Sequence, residues 1–333
     1  MQKISGSKKT AKILLFMWII FAIYPFISAN DYLTSLGIVF FINLMLIASL
    51  NLVTGYCGQI SLCHGGFYGL GAYVSGVLTA KFGIAPVLAI ICALVITSAA
   101  SLIIALPTLR LRGHYLAMAT LGFGVILSVL FVELSWLTGG PNGLMGVPPI
   151  TFFSFSFESD LFYFYLVWFI SMLLMWMILN LINSRIGRAI ASVSHSEIGA
   201  AILGVNAYIL KVKVFVLSAS IAALSGALYI HYNQFASPEM FTFFTSVLLI
   251  MMVALGGWGS YWGPLYGALI FTIVPELLRS LHDLELLIFG LSMILVLMFY
   301  PGGVAAMVIR AHEGINKYLQ KGPMFKKKEL KNG

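Results

Sequence analysis

Long apolar stretches, separated by short polar ones, run through almost the whole sequence. A membrane-spanning helix needs about 20 mostly apolar residues, because it rises about 1.5 Å per residue through a hydrocarbon core of about 30 Å. The stretches are continuous, whereas the strands of a membrane β-barrel alternate apolar and polar residues. The pattern predicts an all-α, polytopic integral membrane protein with about ten membrane helices (eight to ten). The predicted spans are residues 13–29, 36–54, 60–80, 86–106, 114–137, 161–183, 211–232, 242–256, 264–281 and 284–300.

Basic residues give these helices an orientation. Ten spans place both termini on one side of the membrane, and the positive-inside rule makes the side rich in Lys and Arg cytoplasmic. If the termini and the even-numbered loops are cytoplasmic, only Lys81 and Arg279 of the 19 basic residues lie elsewhere. We therefore expect cytoplasmic termini. The remaining basic residues are Lys3, Lys8, Lys9, Lys12, Arg110, Arg112, Arg185, Arg188, Lys211, Lys213, Arg310, Lys317, Lys321, Lys326, Lys327, Lys328 and Lys331.

Composition excludes several other classes of protein. Apolar residues make up 60% of the chain and charged residues 9%, against about 25% charged residues in an average soluble domain. Such a chain is too apolar for a soluble globule or a disordered protein. Its three cysteines do not make a disulfide-stabilised secreted domain. The net charge of +8 follows from the topology, so we expect no nucleic-acid partner.

One membrane domain, residues 13–309, lies between two basic tails, 1–12 and 310–333, both expected in the cytoplasm. The first apolar run follows several lysines, as in a signal peptide, but no A-x-A cleavage site comes after it. We expect it to remain as the first helix. The predicted outer loop 138–160 is rich in glycine and proline and carries no Lys or Arg. It is either an ordered connection or part of a gate or docking surface for an external partner.

The predicted cytoplasmic loop 184–210 carries the signals of a short helix at about 195–203. Ser194 and Glu197 have the spacing of a capping box, and Gly204 ends the helix in a left-handed turn. Such a helix is too short to be stable alone, so it must dock on another surface. Because Ala200 and Ala201 permit close approach, a protein partner is the preferred interpretation. The alternative is a helix that lies on lipid head groups.

Two glycine-rich segments, 55–76 and 254–270, interrupt the apolar pattern and share the spacing Gly-x-x-Tyr-Gly. Paired interruptions indicate the substrate pathway of a transporter, because unwound backbone offers N–H and C=O groups to a polar solute. The alternative is close helix packing, since both segments contain GxxxG. The residues predicted for the pathway are Gln59, Ser61, His64, Thr120, Gly256 and Gly257.

The sequence shows no motif for catalysis, metal binding or ATP hydrolysis. It contains no H-E-x-x-H, G-x-S-x-G or G-x-x-x-x-G-K-[ST] pattern. Cys57, Cys63 and His64 lack the fourth ligand and the spacing of a zinc site. No carboxylate falls near the centre of a predicted span, where an ion-driven transporter usually needs one. A chain without its own energy source but with a docking helix fits the membrane subunit of a multi-subunit pump.

Five stretches of the chain resemble the permeases of ABC importers for branched-chain amino acids, of the LivM type. They are spread from about residue 50 to residue 270 and cover nearly the whole predicted membrane domain. The stretches are Asn51–Ser61 with His64–Phe67, Leu109–Tyr115, Thr138–Gly140 with Asn142–Leu144, Gly187–Ala189 through Glu197 to Leu203–Asn206, and Leu255–Ser260 with Gly263–Pro264.

The resemblance implies a transport subunit that is not an enzyme and binds no cofactor itself. Two permease subunits form a pore, two cytoplasmic ATPases drive it with ATP, and an extracytoplasmic binding protein delivers the substrate. A coupling helix carries the motion of the ATPases to the pore, which works by alternating access. Its predicted residues are Ser194, Glu197, Ala200, Ala201 and Gly204. The alternatives are a permease for urea, short amides or other amino acids, an ion-coupled secondary transporter that acts alone, a membrane enzyme and a channel.

Overall fold

The computed structural model describes residues 7–28, 30–111, 113–152 and 155–277, with scattered positions between 287 and 307. The described chain is mostly helical. Its helices are α1 (Ser7–Ser28), α2 (Asp31–Asn51), α3 (His64–Ala80), α4 (Pro86–Thr108), α5 (His114–Glu133), α6 (Ser135–Thr138), α7 (Asp160–Asn183), α8 (Arg185–His195), α9 (Glu197–Ile202), α10 (Ala207–Asn233), α11 (Phe243–Gly256) and α12 (Gly263–Leu277).

Short irregular elements complete the described chain. A π-helical turn, Leu52–Tyr56, follows α2, and 3₁₀ turns occur at Gly140–Asn142 and Pro238–Phe241. Four two-residue strands form two antiparallel pairs, β1 with β4 and β2 with β3. The strands are β1 (Leu144–Met145), β2 (Thr151–Phe152), β3 (Phe155–Ser156) and β4 (Phe235–Ala236).

Five helices are long and apolar enough to cross a membrane: α2 with its π-helical turn, α4, α5, α7 and α10. Apolar stretches of α1 and α11 are shorter. A helical, multi-pass membrane protein is therefore confirmed, while the count of ten spans and the cytoplasmic termini stay predictions. The predicted span 284–300 and the tail 310–333 lie mostly or wholly outside the described residues.

Several helix boundaries differ from the predicted ones. The first helix begins at Ser7, inside the predicted tail. The second begins at Asp31, where the side chain of Asn30 accepts a hydrogen bond from the Tyr32 N–H at 3.1 Å and caps the helix. The third begins only at His64, after an irregular segment. Capping and backbone breaks of this kind decide helix ends, and hydropathy alone does not report them.

A parallel pair of helices, α3 and α10, lies at the centre of the bundle. α4 packs on both helices, α2 packs on α10, and α7 packs on α2 with α1 beside it. α5 and α11 flank α3, and α12 joins α11 to α2. Small residues allow the central contact: a Cβ atom on Gly71 would overlap the backbone of Ala223, and one on Gly226 would overlap the backbone of Tyr68. In a membrane such close packing holds helices together.

The two ends of the bundle differ in charge. We call the end that carries α8 and α9 the basic end. Lys8, Lys9 and Lys12 lie at the start of α1, and the basic residues whose side chains the structure describes at this end are Arg110, Arg185, Arg188, Lys211 and Lys213. We call the opposite end, with residues 134–159, the loop end. Its exposed Lys81 donates a hydrogen bond to the Trp136 carbonyl.

Candidate functional site

The chain between α2 and α3 is the first candidate site. The π-helical turn is followed by irregular backbone, residues 57–63, which we call the break. Two of its N–H groups bond back to the π-helical turn: Cys57 donates to the Leu52 carbonyl at 3.1 Å, and Gln59 donates to the Val53 carbonyl at 3.0 Å. Non-helical backbone at membrane depth persists where protein buries it or where it lines a watery cavity. Gln59 and Ser61 lie in the break, and His64 follows it directly.

His64 is completely buried and ties α3 to its neighbours. Ser218 Oγ of α10 donates to the Ser49 carbonyl at 2.5 Å, so it must accept from His64 Nε2, which lies 2.7 Å away. Nδ1 lies 2.9 Å from Ser61 Oγ, and in a neutral imidazole it accepts a hydrogen bond from that hydroxyl. A hydroxyl has only one proton to donate, and Ser218 donates its proton to Ser49, so Nε2 of His64 carries a proton. His64 therefore acts as a structural link between three segments.

Two further hydrogen bonds attach the start of α3. The N–H of Leu62 donates to Thr120 Oγ1 of α5 at 3.1 Å, and the N–H of Gly65 donates to Ser246 Oγ of α11 at 3.0 Å. Such bonds satisfy N–H groups that a helix start leaves without intrahelical partners. Gln59 Oε1 is different: it is buried and has no hydrogen-bond partner in the described chain. It is an acceptor that a passing solute could use.

Gly256 and Gly257 lie apart from this network, at the turn between α11 and α12. A Cβ atom on Gly256 would overlap the Gly263 carbonyl, and one on Gly257 would lie 2.8 Å from the carbonyl oxygen of Gly302. Backbone fills the space around both glycines in this conformation. Their contribution to a pathway stays a prediction, and the observed contacts are those of close packing.

Asn51, at the end of α2, binds the second of the two glycine-rich segments that the sequence singles out. Its Nδ2 donates to the Ser260 carbonyl at 2.9 Å, and its Oδ1 accepts from the Gly259 N–H at 3.0 Å. Through these bonds the end of α2 holds the turn between α11 and α12. The two segments themselves meet at Gly55, where an added Cβ atom would overlap the backbone nitrogen of Gly259, although their shared spacing does not bring the matching glycines together.

A cavity of about 250 Å³ opens towards the loop end, between α5 and the segment that follows α10. Charged side chains in a membrane protein usually face the bundle interior or a water-filled space. The two carboxylates of this cavity therefore indicate that water enters it. The lining residues are Ser128, Val129, Val132, Glu133, Pro238, Glu239 and Thr242.

Pro238, Glu239 and Thr242 form one wall of this cavity, and the segment that carries them, residues 234–242, descends into the bundle. At the loop end Ala236 pairs with Leu144. Further along, the ring centroid of Phe241 lies 5.2 Å from that of Tyr68 in α3, and Phe241 is completely buried. At 1.5 Å per helical residue, the level of Tyr68 is about 18 Å below the loop end of α3. The sequence does not indicate this descent, because the apolar pattern predicts only a loop between two spans at this position.

α9 is the short helix predicted at about 195–203. Ser196 caps it: its Oγ accepts a hydrogen bond from the Gly199 N–H at 3.0 Å. The prediction that Ser194 is the cap is wrong, because α8 continues to His195 and encloses Ser194. The amphipathic helix α8 itself is absent from the prediction.

The end of α9 is as predicted. Gly204 has a φ of +78°, in the left-handed region. The N–H of Val205 donates to the Ala200 carbonyl and that of Gly204 to the Ala201 carbonyl, each at 3.0 Å. This pair of bonds is the Schellman motif, which closes a helix end with a glycine.

One side of α9 is held, and the other is exposed. Glu197 forms an ion pair with Lys211 near the start of α10, and Ala200 is buried. Ala201 is exposed. A neighbouring apolar patch is also exposed, although such side chains are usually covered in a folded protein. The patch consists of Ile198, Ile202 and Leu203, exposed by 73%, 82% and 76%.

The α8–α9 hairpin also contacts the break. A Cβ atom on Gly58 would lie 3.1 Å from Ser194 Oγ, so Ser194 packs against this segment. Burial raises the pKa of the neighbouring Cys57 thiol to about 11, while the nearby Lys211 ammonium lowers it. No group of three His, Cys, Asp or Glu side chains that could hold a metal occurs among the residues placed by the structure. The hairpin and the break thus form one connected region.

Known proteins place the chain in a family. The model of a family described as the permease component of branched-chain amino acid transport systems matches residues 33–297. The high-affinity branched-chain amino acid transport system permease proteins LivM of Salmonella typhimurium and Escherichia coli are each 31% identical to it, over 91% of this chain and 77% of theirs. The corresponding LivH of Escherichia coli is 26% identical, over 76% of this chain and 87% of its own length. No solved structure shows significant similarity. The chain belongs to the family of permease components of branched-chain amino acid transport systems.

Proposed function

We propose that this chain is a permease subunit of an ATP-driven ABC importer that moves branched-chain amino acids across the cytoplasmic membrane by alternating access. The names of its relatives support the substrate. The observation that carries the mechanism is the exposed apolar patch of α9, because it offers a separate ATPase a place to dock at the basic end. ATP is then bound and hydrolysed by that partner, and the chain itself is not an enzyme.

The ion pair between Glu197 and Lys211 connects the docking helix α9 to α10, so movement of α9 can be passed to the rest of the bundle. Glu197 connects α9 to Lys211, and α10 carries Ser218 two turns further along the same helix. Through His64, Ser218 holds the start of α3. When two ATPases close on ATP, we expect α9 to move with them and to displace α10 and the break together.

The solute enters this permease through the cavity at the loop end. It then passes Phe241 and reaches the break, where Gln59 Oε1 is free to accept a hydrogen bond. α5 lines this route and buries only one narrow stripe of residues against the bundle. A second permease subunit on the open side of α5 would complete the pore, and an extracytoplasmic binding protein would deliver solute at the loop end.

The basic end faces the cytoplasm in this proposal, as the positive-inside rule requires. The count of ten spans and the two cytoplasmic tails belong to the same topology. The chain then lies in the inner membrane of a bacterium, with α9 on the side where ATP is present.

Reconstitution tests the proposal. Proteoliposomes that contain this chain, its sister permease, the two ATPases and the binding protein should accumulate labelled leucine only with ATP, and unlabelled isoleucine or valine should compete whereas urea should not. Ile202→Ser should reduce the ATPase that co-purifies with the permease. Leu111→Ser is the matched control, since Leu111 is exposed at the same end but lies outside α9. Uphill uptake by the purified chain alone would refute the proposal.

A further inference from the structure

The α3–α10 pair connects the two ends of the molecule. Near the basic end Ser218 bonds to His64, and towards the loop end Ser75 Oγ lies 2.8 Å from His231 Nε2. Between these bonds, Gly226 packs directly on the backbone of Tyr68. Two helices without side-chain layers between them cannot slide easily, because backbone atoms would collide. We expect the pair to move as one body.

His231 joins this body to the loop end. Its Nδ1 lies 2.8 Å from the carbonyl oxygen of Pro148. A carbonyl oxygen only accepts, so Nδ1 carries the proton, and the unprotonated Nε2 accepts from Ser75 Oγ. His231 is 1% exposed. One imidazole thus bonds α3 with one nitrogen and the segment after β1 with the other.

The segment that His231 holds is well placed for a partner outside the membrane. β1 (Leu144–Met145) pairs with β4, and Met145 is 68% exposed beside this pair. Val147, in contrast, is buried and its N–H donates to the Gln234 carbonyl at 3.4 Å. The segment therefore has an anchored side and an open side. Its anchors are on α10 and on the chain that follows α10.

We propose that His231 is a positioning residue that fixes Leu144–Pro148 on the α3–α10 pair, so that a binding protein docked at the loop end is mechanically connected to α9. This inference rests on the proposed function, because it requires an external binding protein and an ATPase. A binding protein docked at the loop end and an ATPase docked at α9 then both act on the α3–α10 pair. The connection runs from Pro148 through His231, α10 and Lys211 to Glu197.

Two substitutions separate the bonds of His231. In His231→Asn the side-chain amide can take the place of Nδ1 and still donate to Pro148. In His231→Gln the amide takes the place of Nε2, so it keeps Ser75 and loses Pro148. The assembled importer in proteoliposomes is assayed for ATPase activity without binding protein and at increasing concentrations of binding protein loaded with leucine. Thermal stability in detergent is measured for both variants.

We expect His231→Gln to raise the concentration of binding protein for half-maximal stimulation about fivefold, the effect of losing one hydrogen bond. Its activity without binding protein should stay within about twofold of the unaltered importer. His231→Asn should retain stimulation. Equal stimulation of His231→Gln and the unaltered importer would overturn the inference, and so would an equal loss of stability and of both activities in the two variants. Absence of any stimulation in the unaltered importer would instead refute the proposed function.

Discussion

Glu197 illustrates what a single side chain reveals only in three dimensions. Its sequence context, with two alanines and Gly204 after it, indicates a docking helix, but the direction of the carboxylate depends on Lys211, which lies 14 positions later. The carboxylate turns inwards because the Lys211 side chain is only 9% exposed and needs a counter-charge. The isoleucines, and not the acidic residue, therefore form the exposed side of α9.

The ion pair can be tested by exchanging its charges. Glu197→Gln should lower the free energy of unfolding by about 1 kcal/mol, because it leaves the Lys211 ammonium without its counter-charge. The effect stays this small because Glu197 is 32% exposed, and water screens its charge. The substitution should also lower the number of leucine molecules transported per ATP hydrolysed. The double variant Glu197→Lys with Lys211→Glu should regain much of the lost stability and much of the lost transport per ATP. Thermal unfolding and the transport-to-ATPase ratio are the measurements. A double variant no better than the single one would show that the pair does not act as a connection.

His64 and Gln59 mark the limit of prediction at the residue scale. The polar cluster around the break is visible in the sequence, so both residues are predicted as part of the site. Their environments are not visible, because Ser218 lies 154 positions from His64. The structure places His64 in a closed hydrogen-bond chain and leaves Gln59 Oε1 unpaired. Of these two residues, only Gln59 has a side-chain atom without a hydrogen-bond partner in the described chain.

At the scale of elements, hydropathy predicts the long helices well and the irregular backbone badly. α4 and α7 agree with their predicted spans to within two residues, because continuous apolar runs decide them. α8 and the descent of residues 234–242 are absent from the prediction. Both depend on tertiary contacts: α8 packs on the ends of its neighbours, and Phe241 packs on Tyr68. Such contacts join residues distant in the sequence, so a local pattern does not report them.

The crossing of α3 and α10 gives a prediction for glycine substitutions. Gly226→Ala should destabilise the protein by about 1–3 kcal/mol or more, because its Cβ would overlap the backbone of Tyr68. Gly122→Ala is the matched control: Gly122 lies on α5 with nothing within 4 Å of the added atom, and alanine favours a helix. Thermal unfolding of both variants in detergent is the measurement. Equal stability of Gly226→Ala and the unaltered protein would show that the crossing can relax.

For the whole molecule, topology follows from charge and is open to labelling. Lys81 is exposed at the loop end and Lys213 is exposed at the basic end. In intact cells, an impermeant thiol reagent should label Lys81→Cys and should label Lys213→Cys only after the membrane is opened. Cys57 and Cys63 are buried, and Cys92 lies exposed on α4 and is replaced by serine in both variants. Labelling of Lys213→Cys in intact cells would show that the basic end faces outwards, and would contradict the proposed orientation.

The descent of residues 234–242 shortens the distance over which the protein must insulate one compartment from the other. Phe241 is buried next to Thr242, which lines the cavity, so the part of the bundle that must keep water out is well short of the full hydrocarbon thickness of about 30 Å. A seal made of a few aromatic rings is thin, so the volume of individual side chains, and not the length of the helices, decides whether the resting permease leaks.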